Sequence, residues 1–142
     1  MEKLTATNYV DLAESAVKKL ECDRQGRVKL TTSQIRNLLD LVNRLYDDAR
    51  TSNKEEQLSE RLQEQVQYVR LRFVYAAGRE STVKDFVEKS EVINYLKWIG
   101  GEKERLLLFC RYMEALVAYH KFLGGRDWWR EKRCLVKLKL QE

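Results

Sequence analysis

The sequence predicts an all-α fold, a compact bundle of about five to six helices around one central apolar helix. Three observations predict it. The 142 residues contain no proline and only six glycines, which favours long helices over turns and sheets. Charged residues make up 35% of the chain and stand between apolar positions that recur at helical spacing. Fourteen of the eighteen residues 106–123 are apolar, so a helix there is hydrophobic nearly all round and has to be enclosed by others. This central helix is expected over 102–123, ended by Gly124 and Gly125. Its core side reads as Leu108, Tyr112, Ala115, Leu116 and Tyr119. Arg111, Glu114, His120 and Lys121 interrupt it and argue against a membrane span. The chain reads as a single helical domain over 1–142.

The first element is a short amphipathic helix over 5–20, with Tyr9, Leu12, Ala13, Ala16, Val17 and Leu20 on one face and Thr5 or Thr7 placed to cap it. CDRQGR follows as a loop. Thr31 and Gln34 have the spacing of a capping box. The second helix is therefore expected over 32–50, with the apolar stripe Ile35, Leu38, Leu39, Val42, Leu45, Tyr46 and Ala49. The third is expected over 54–77 with Leu58, Leu62, Val66, Val69, Phe73 and Ala76 inward and Gly78 as its stop. Ser81 or Thr82 is placed to cap a fourth, in which the apolar phase slips near Lys89 and Ser90, predicting a kink or two short helices before Gly100 and Gly101. The tail 126–142 carries Trp128, Trp129, Leu135, Leu138 and Leu140 with a net charge of +3. It reads as helix or irregular structure docked on the bundle or on another copy.

The sequence carries little catalytic chemistry. The three cysteines form no CxxC pair, and no signal-peptide pattern opens the chain, so reduced thiols and a cytoplasmic protein are expected. No phosphate-binding, dinucleotide-binding or metalloprotease motif is present, and no cofactor, metal or reaction is implied. Cys110 and His120 lie ten residues apart on one helix, about 15 Å along its axis, too far to share a proton. His120 reads as a partly buried histidine satisfied by a neighbour, and Glu114 as a carboxylate paired with Arg111.

Basic and aromatic material is more informative. Arg61, Gln65, Tyr68, Arg72, Tyr75 and Arg79 follow one another at intervals of 4, 3, 4, 3 and 4, so they share one side of the third helix if it reaches Arg79. Arginine grips phosphate and tyrosine offers a stacking face, which suits single-stranded RNA. Equally, the tyrosines flank the core and the arginines pair with Glu64 or other acids, or the stripe is a protein interface. Arg36, Arg44 and Arg70 are placed to widen a patch.

LTTSQIRNLLDLVNRLY, VRLRFVYAAGR and RYMEALVAYHKFLGG, in this order, resemble the small helical subunit family of the type III-A CRISPR interference complex, the Csm complex. The resemblance covers about Leu30 to Gly125. It implies a non-catalytic helical protein, present in several copies stacked head to tail, with crRNA and target RNA, the other Csm subunits and further copies of itself as partners, and a possible homodimer in isolation. Carried onto the matching motifs, the RNA-contacting positions are Arg36, Arg70, Arg72, Arg79 and Lys121, with Gln34 at a helix N-terminus that favours an anion. Arg61 rests on the stripe alone.

Overall fold

The structure, a computed structural model, describes residues 1–52 and 54–124. The expectations for the tail therefore lie outside the described residues. Six helices follow in order: α1 (Tyr9–Lys18), α2 (Thr32–Ser52), α3 (Glu60–Arg79), α4 (Ser81–Ser90), α5 (Val92–Ile99) and α6 (Lys103–Phe122). The all-α expectation holds, and α6 packs on α1, α2 and α5 as the central helix.

Local signals set most boundaries. Thr5 and Asn8 exchange backbone-to-side-chain hydrogen bonds that turn the chain into α1. The Thr31–Gln34 capping box forms in both directions, Thr31 N–H to Gln34 Oε1 at 2.9 Å and Gln34 N–H to Thr31 Oγ1 at 3.1 Å. The third helix starts later than its polar run suggests. Leu58 N–H bonds Gly101 O at 2.7 Å and Lys103 N–H bonds Glu56 O at 2.9 Å, so residues before Ser59 are tied to the entrance of α6. Ser59 then caps α3 through Leu62 N–H. At the other end α3 runs past Gly78 to Arg79, so Gly78 is helical and not a stop.

The slip near Lys89 and Ser90 is a break into two helices. Glu91 sits between them in the left-handed region (φ 59°, ψ 28°), which re-aims the chain so that α5 buries Val92, Tyr95, Leu96 and Ile99. Neither Ser81 nor Thr82 caps α4, because Glu80 occupies that position without a side-chain cap bond. Thr82 instead donates from Oγ1 to Gln34 Oε1.

The α6 core face is rotated from the expected one. Leu106, Phe109, Cys110, Met113, Leu116 and His120 are buried with Tyr112, while Leu108, Ala115 and Tyr119 are half-buried. With apolar residues nearly all round, periodicity cannot select among faces, and the packing of three neighbouring helices does. Two tyrosines keep their hydroxyls satisfied inside. Tyr112 donates to Ser90 O at 2.8 Å and Tyr95 to Glu2 O at 2.6 Å, their rings 5.2 Å apart edge to face. His120, which the sequence suggests to be partly buried, is fully buried with Nε2 2.8 Å from Leu30 O. Glu114 and Arg111 are both exposed and form no ion pair among the described residues, so the expected pairing is absent; an exposed carboxylate needs none.

Asp85 carries a tertiary contact that no sequence pattern announced. Buried on α4, it accepts the Glu21 N–H at 2.8 Å and a bond from Lys89, joining the α1–α2 connection to α4. The carboxylate holds the Lys89 ammonium pKa above its usual range. Asp85→Ala leaves the Glu21 N–H without its acceptor and is expected to lower unfolding free energy by about 1–2 kcal/mol, measured by urea denaturation.

Candidate nucleic-acid interface on α2 and α3

α3 packs on α2, α4 and α5 through Leu62, Val66, Val69 and Phe73. α2 runs antiparallel beside it. The Gln34 amide bonds Glu80 and Thr82 just past the end of α3, and Gln65 Nε2 donates to Asp48 Oδ2 at 3.1 Å near its start. These two polar clasps fix the register of the pair, and α3 presents the stripe along the seam between them.

Because α3 reaches Arg79, all six stripe positions lie on one side of one helix. Arg61, Tyr68, Arg72, Tyr75 and Arg79 are exposed, with Tyr68 at 56% and Tyr75 at 61%, and Gln65 is half-buried in its bond to Asp48. The tyrosines thus do not flank the core. None of the five ion pairs among the described residues involves a stripe arginine, which leaves the anticipated pairing with Glu64 or other acids unformed. The Arg79 guanidinium lies 5.8 Å from the centre of the Tyr75 ring, a cation–π contact that lines up charge and flat face.

The register adds Arg44. It is exposed one turn before Asp48 on the same face of α2. In an antiparallel pair the turn before Asp48 lies level with the turn after Gln65, so Arg44 stands on the α2 side of the seam at the height of Tyr68. From the sequence Arg44 was only a flanking charge, because the α2–α3 register depends on contacts far apart in the chain.

The other candidates are dispersed. Arg70 is two residues from Arg72, about 200° round the helix, and half-buried on the opposite flank of the α3 core face. Arg36 is likewise about 200° from Gln34, so it points away from α3. Lys121 is exposed on the last turn of α6, which packs against α2 but is not a neighbour of α3 in the way α2, α4 and α5 are. Gln34 is engaged on both atoms of its amide, and the Glu80 carboxylate stands beside the α2 N-terminus where an anion was expected. The seven candidates therefore do not form one cluster, and Arg61, Arg72 and Arg79 are the three that share a line.

The matching family profile is that of Csm2, type III-A, over residues 3–126. The chain belongs to the Csm2 family. Curated relatives carry the name CRISPR system Cms protein Csm2. One from Streptococcus thermophilus is 52% identical over 127 residues, covering 89% of this chain and all of the relative. One from Mycobacterium tuberculosis (strain H37Rv) is 45% identical over 120 residues, covering 84% of this chain and 94% of the relative. One from Enterococcus italicus is 40% identical over 113 residues, covering 74% and 80%. As a Csm2, this chain is the small subunit of the type III-A CRISPR Csm complex.

No helix among the described residues of this Csm2 chain is long and apolar enough to cross a membrane. The two described cysteines differ sharply in environment. Cys22 is exposed, whereas burial of Cys110 pushes its thiol pKa up to about 12. Only the thiolate attacks, so at pH 8 Cys110 holds about one part in 10⁴ of its reactive form. In a Cys134→Ser background, an alkylating reagent is expected to label Cys22 in the native protein and Cys110 only after unfolding, read by peptide mass mapping.

Proposed function

We propose that this Csm2 protein is a non-catalytic subunit that holds RNA backbone along the α2–α3 seam, in several copies along guide and target, in the cytoplasm. The observation that carries the reading is the exposed line of Arg61, Arg72 and Arg79, free of ion pairs among the described residues, interleaved with exposed Tyr68 and Tyr75 and flanked by Arg44. Arginine forks bind phosphate oxygens, the tyrosine rings stack on unpaired bases, and neither reads sequence. That suits a strand whose sequence is already read by pairing with its guide. A seam this open holds RNA weakly in one copy, and several copies on one strand raise occupancy by effective concentration.

The chain alone, titrated with single-stranded RNA at several salt concentrations, tests the charge count. Four arginines on phosphates give a log-log slope of about −3, from roughly −0.7 per contact. A slope near zero removes the phosphate contacts from the reading. Crosslinks mapped in the assembled complex are expected on Tyr68 and Tyr75, and their absence from α3 with RNA bound elsewhere rejects this face.

A further inference from the structure

α3 has a second exposed face that the RNA reading does not use. Of the seven large apolar side chains exposed among the described residues, four fall within eight residues of this helix; Tyr68 and Tyr75 belong to the stripe, and Leu71 at 62% and Val74 at 48% make up the face beside it. Leu71 is two positions from Val69 and from Phe73, about 200° round the helix from each, so it projects directly away from the core. Val74 is one turn on, and Gly78 another turn beyond has open space where a Cβ would be. The result is an apolar ridge ending in a bare backbone step. Leucine and valine offer RNA neither a ring to stack nor a hydrogen bond, whereas buried aliphatic area is what a protein contact gains from.

The surroundings select the partner's charge. Residues 65–79 contain Arg70, Arg72 and Arg79 and no acidic residue. Arg70 borders the ridge on the Val74 side and Arg72 on the Tyr75 side. Pairing α3 with its own copy antiparallel about Leu71 sets Arg70 and Arg72 against the same residues, and parallel pairing sets Arg79 against Arg79, like charges in both cases.

We propose that the Leu71–Val74 ridge is the docking face for a different Csm protein, through an apolar segment rimmed by carboxylates, with Arg70 pairing to that rim. The single helix then holds RNA on one flank and a protein subunit on the other. The proposal needs the family membership but not the RNA reading.

The test is a Leu71→Ser/Val74→Ser variant co-expressed with the other Csm proteins, with and without guide RNA, counting copies of this chain per complex by native mass spectrometry. The expected result is at least a tenfold drop in retention under both conditions, with the circular dichroism and RNA salt slope of the isolated chain unchanged. Arg70→Glu, which leaves the ridge intact, is expected to lower retention in the same direction. Full retention of both variants overturns the proposal. So does a wild-type dimer that the double variant abolishes, which assigns the ridge to a second copy. A loss of RNA binding by the isolated double variant equal to its loss of retention also overturns it, placing the ridge inside the RNA site. The proposed RNA face fails separately, by a flat salt slope.

Discussion

Reversing charge at Arg61, Arg72 and Arg79 together is expected to weaken binding of single-stranded RNA by roughly 100-fold. The figure follows from taking about 1 kcal/mol for each exposed contact, the net value of an ordinary hydrogen bond, and converting about 3 kcal/mol to a ratio of dissociation constants. Arg61 and Arg72 are about 16 Å apart along α3 and Arg72 and Arg79 about 10 Å, so the three losses should be nearly additive. Fold stability should stay within about 0.5 kcal/mol, since all three side chains are exposed and unpaired among the described residues. Arg36→Glu/Lys121→Glu reverses two charges off this line, two thirds of the charge changed in the triple variant, and is expected to cost less than a third of that energy. A loss in proportion to the charge reversed, about two thirds of the triple variant's energy by fluorescence anisotropy at fixed salt, would mean that the net charge of +5, and not this line, attracts the RNA.

The largest effect on stability belongs to α6. Leu116→Ala is expected to lower unfolding free energy by about 2–5 kcal/mol, because Leu116 has no exposed surface and its α6 neighbours on α1, α2 and α5 cannot all collapse onto the void. In a domain of ordinary stability this is a large fraction of the total. Leu71→Ala removes the same atoms from a side chain 62% exposed and should change stability by less than about 0.5 kcal/mol. Urea titrations of the two variants give the contrast directly, and a Leu116→Ala loss below 1 kcal/mol would mean that α6 is not the centre of the core.

Features set within one turn or one helix are readable from the chain, and those set by distant partners are not. The Thr31–Gln34 box was legible because both partners lie within one turn, and the Arg/Tyr stripe because one helix carries all six positions. The true start of α3 was hidden. Residues 54–58 look like the lead-in to a helix, and what keeps them out of it is pairing with Gly101 and Lys103, over forty residues on. The break at Glu91 was visible as a phase slip, yet its left-handed backbone was not, since a glutamate there gives none of the signal a glycine would. Arg36, Arg70 and Lys121 are basic residues in the matching motifs, and a motif says nothing of which way a helix faces. The position of Arg44 at the level of Tyr68 is hidden for the same reason: it follows from a clasp, Asp48 to Gln65, that joins two helices.

The uneven packing of α3 and α6 divides the molecule by how freely its residues can change. α6 is constrained nearly all round by its three neighbours, whereas α3 commits only the side bearing Leu62, Val66, Val69 and Phe73. Substitutions at the exposed positions of α3 that make no clasp, such as Arg61, Leu71 and Arg72, are expected to be almost neutral for folding, so this helix can exchange one binding partner for another while the architecture stays the same. Stability and specificity are in that sense separately adjustable in this chain.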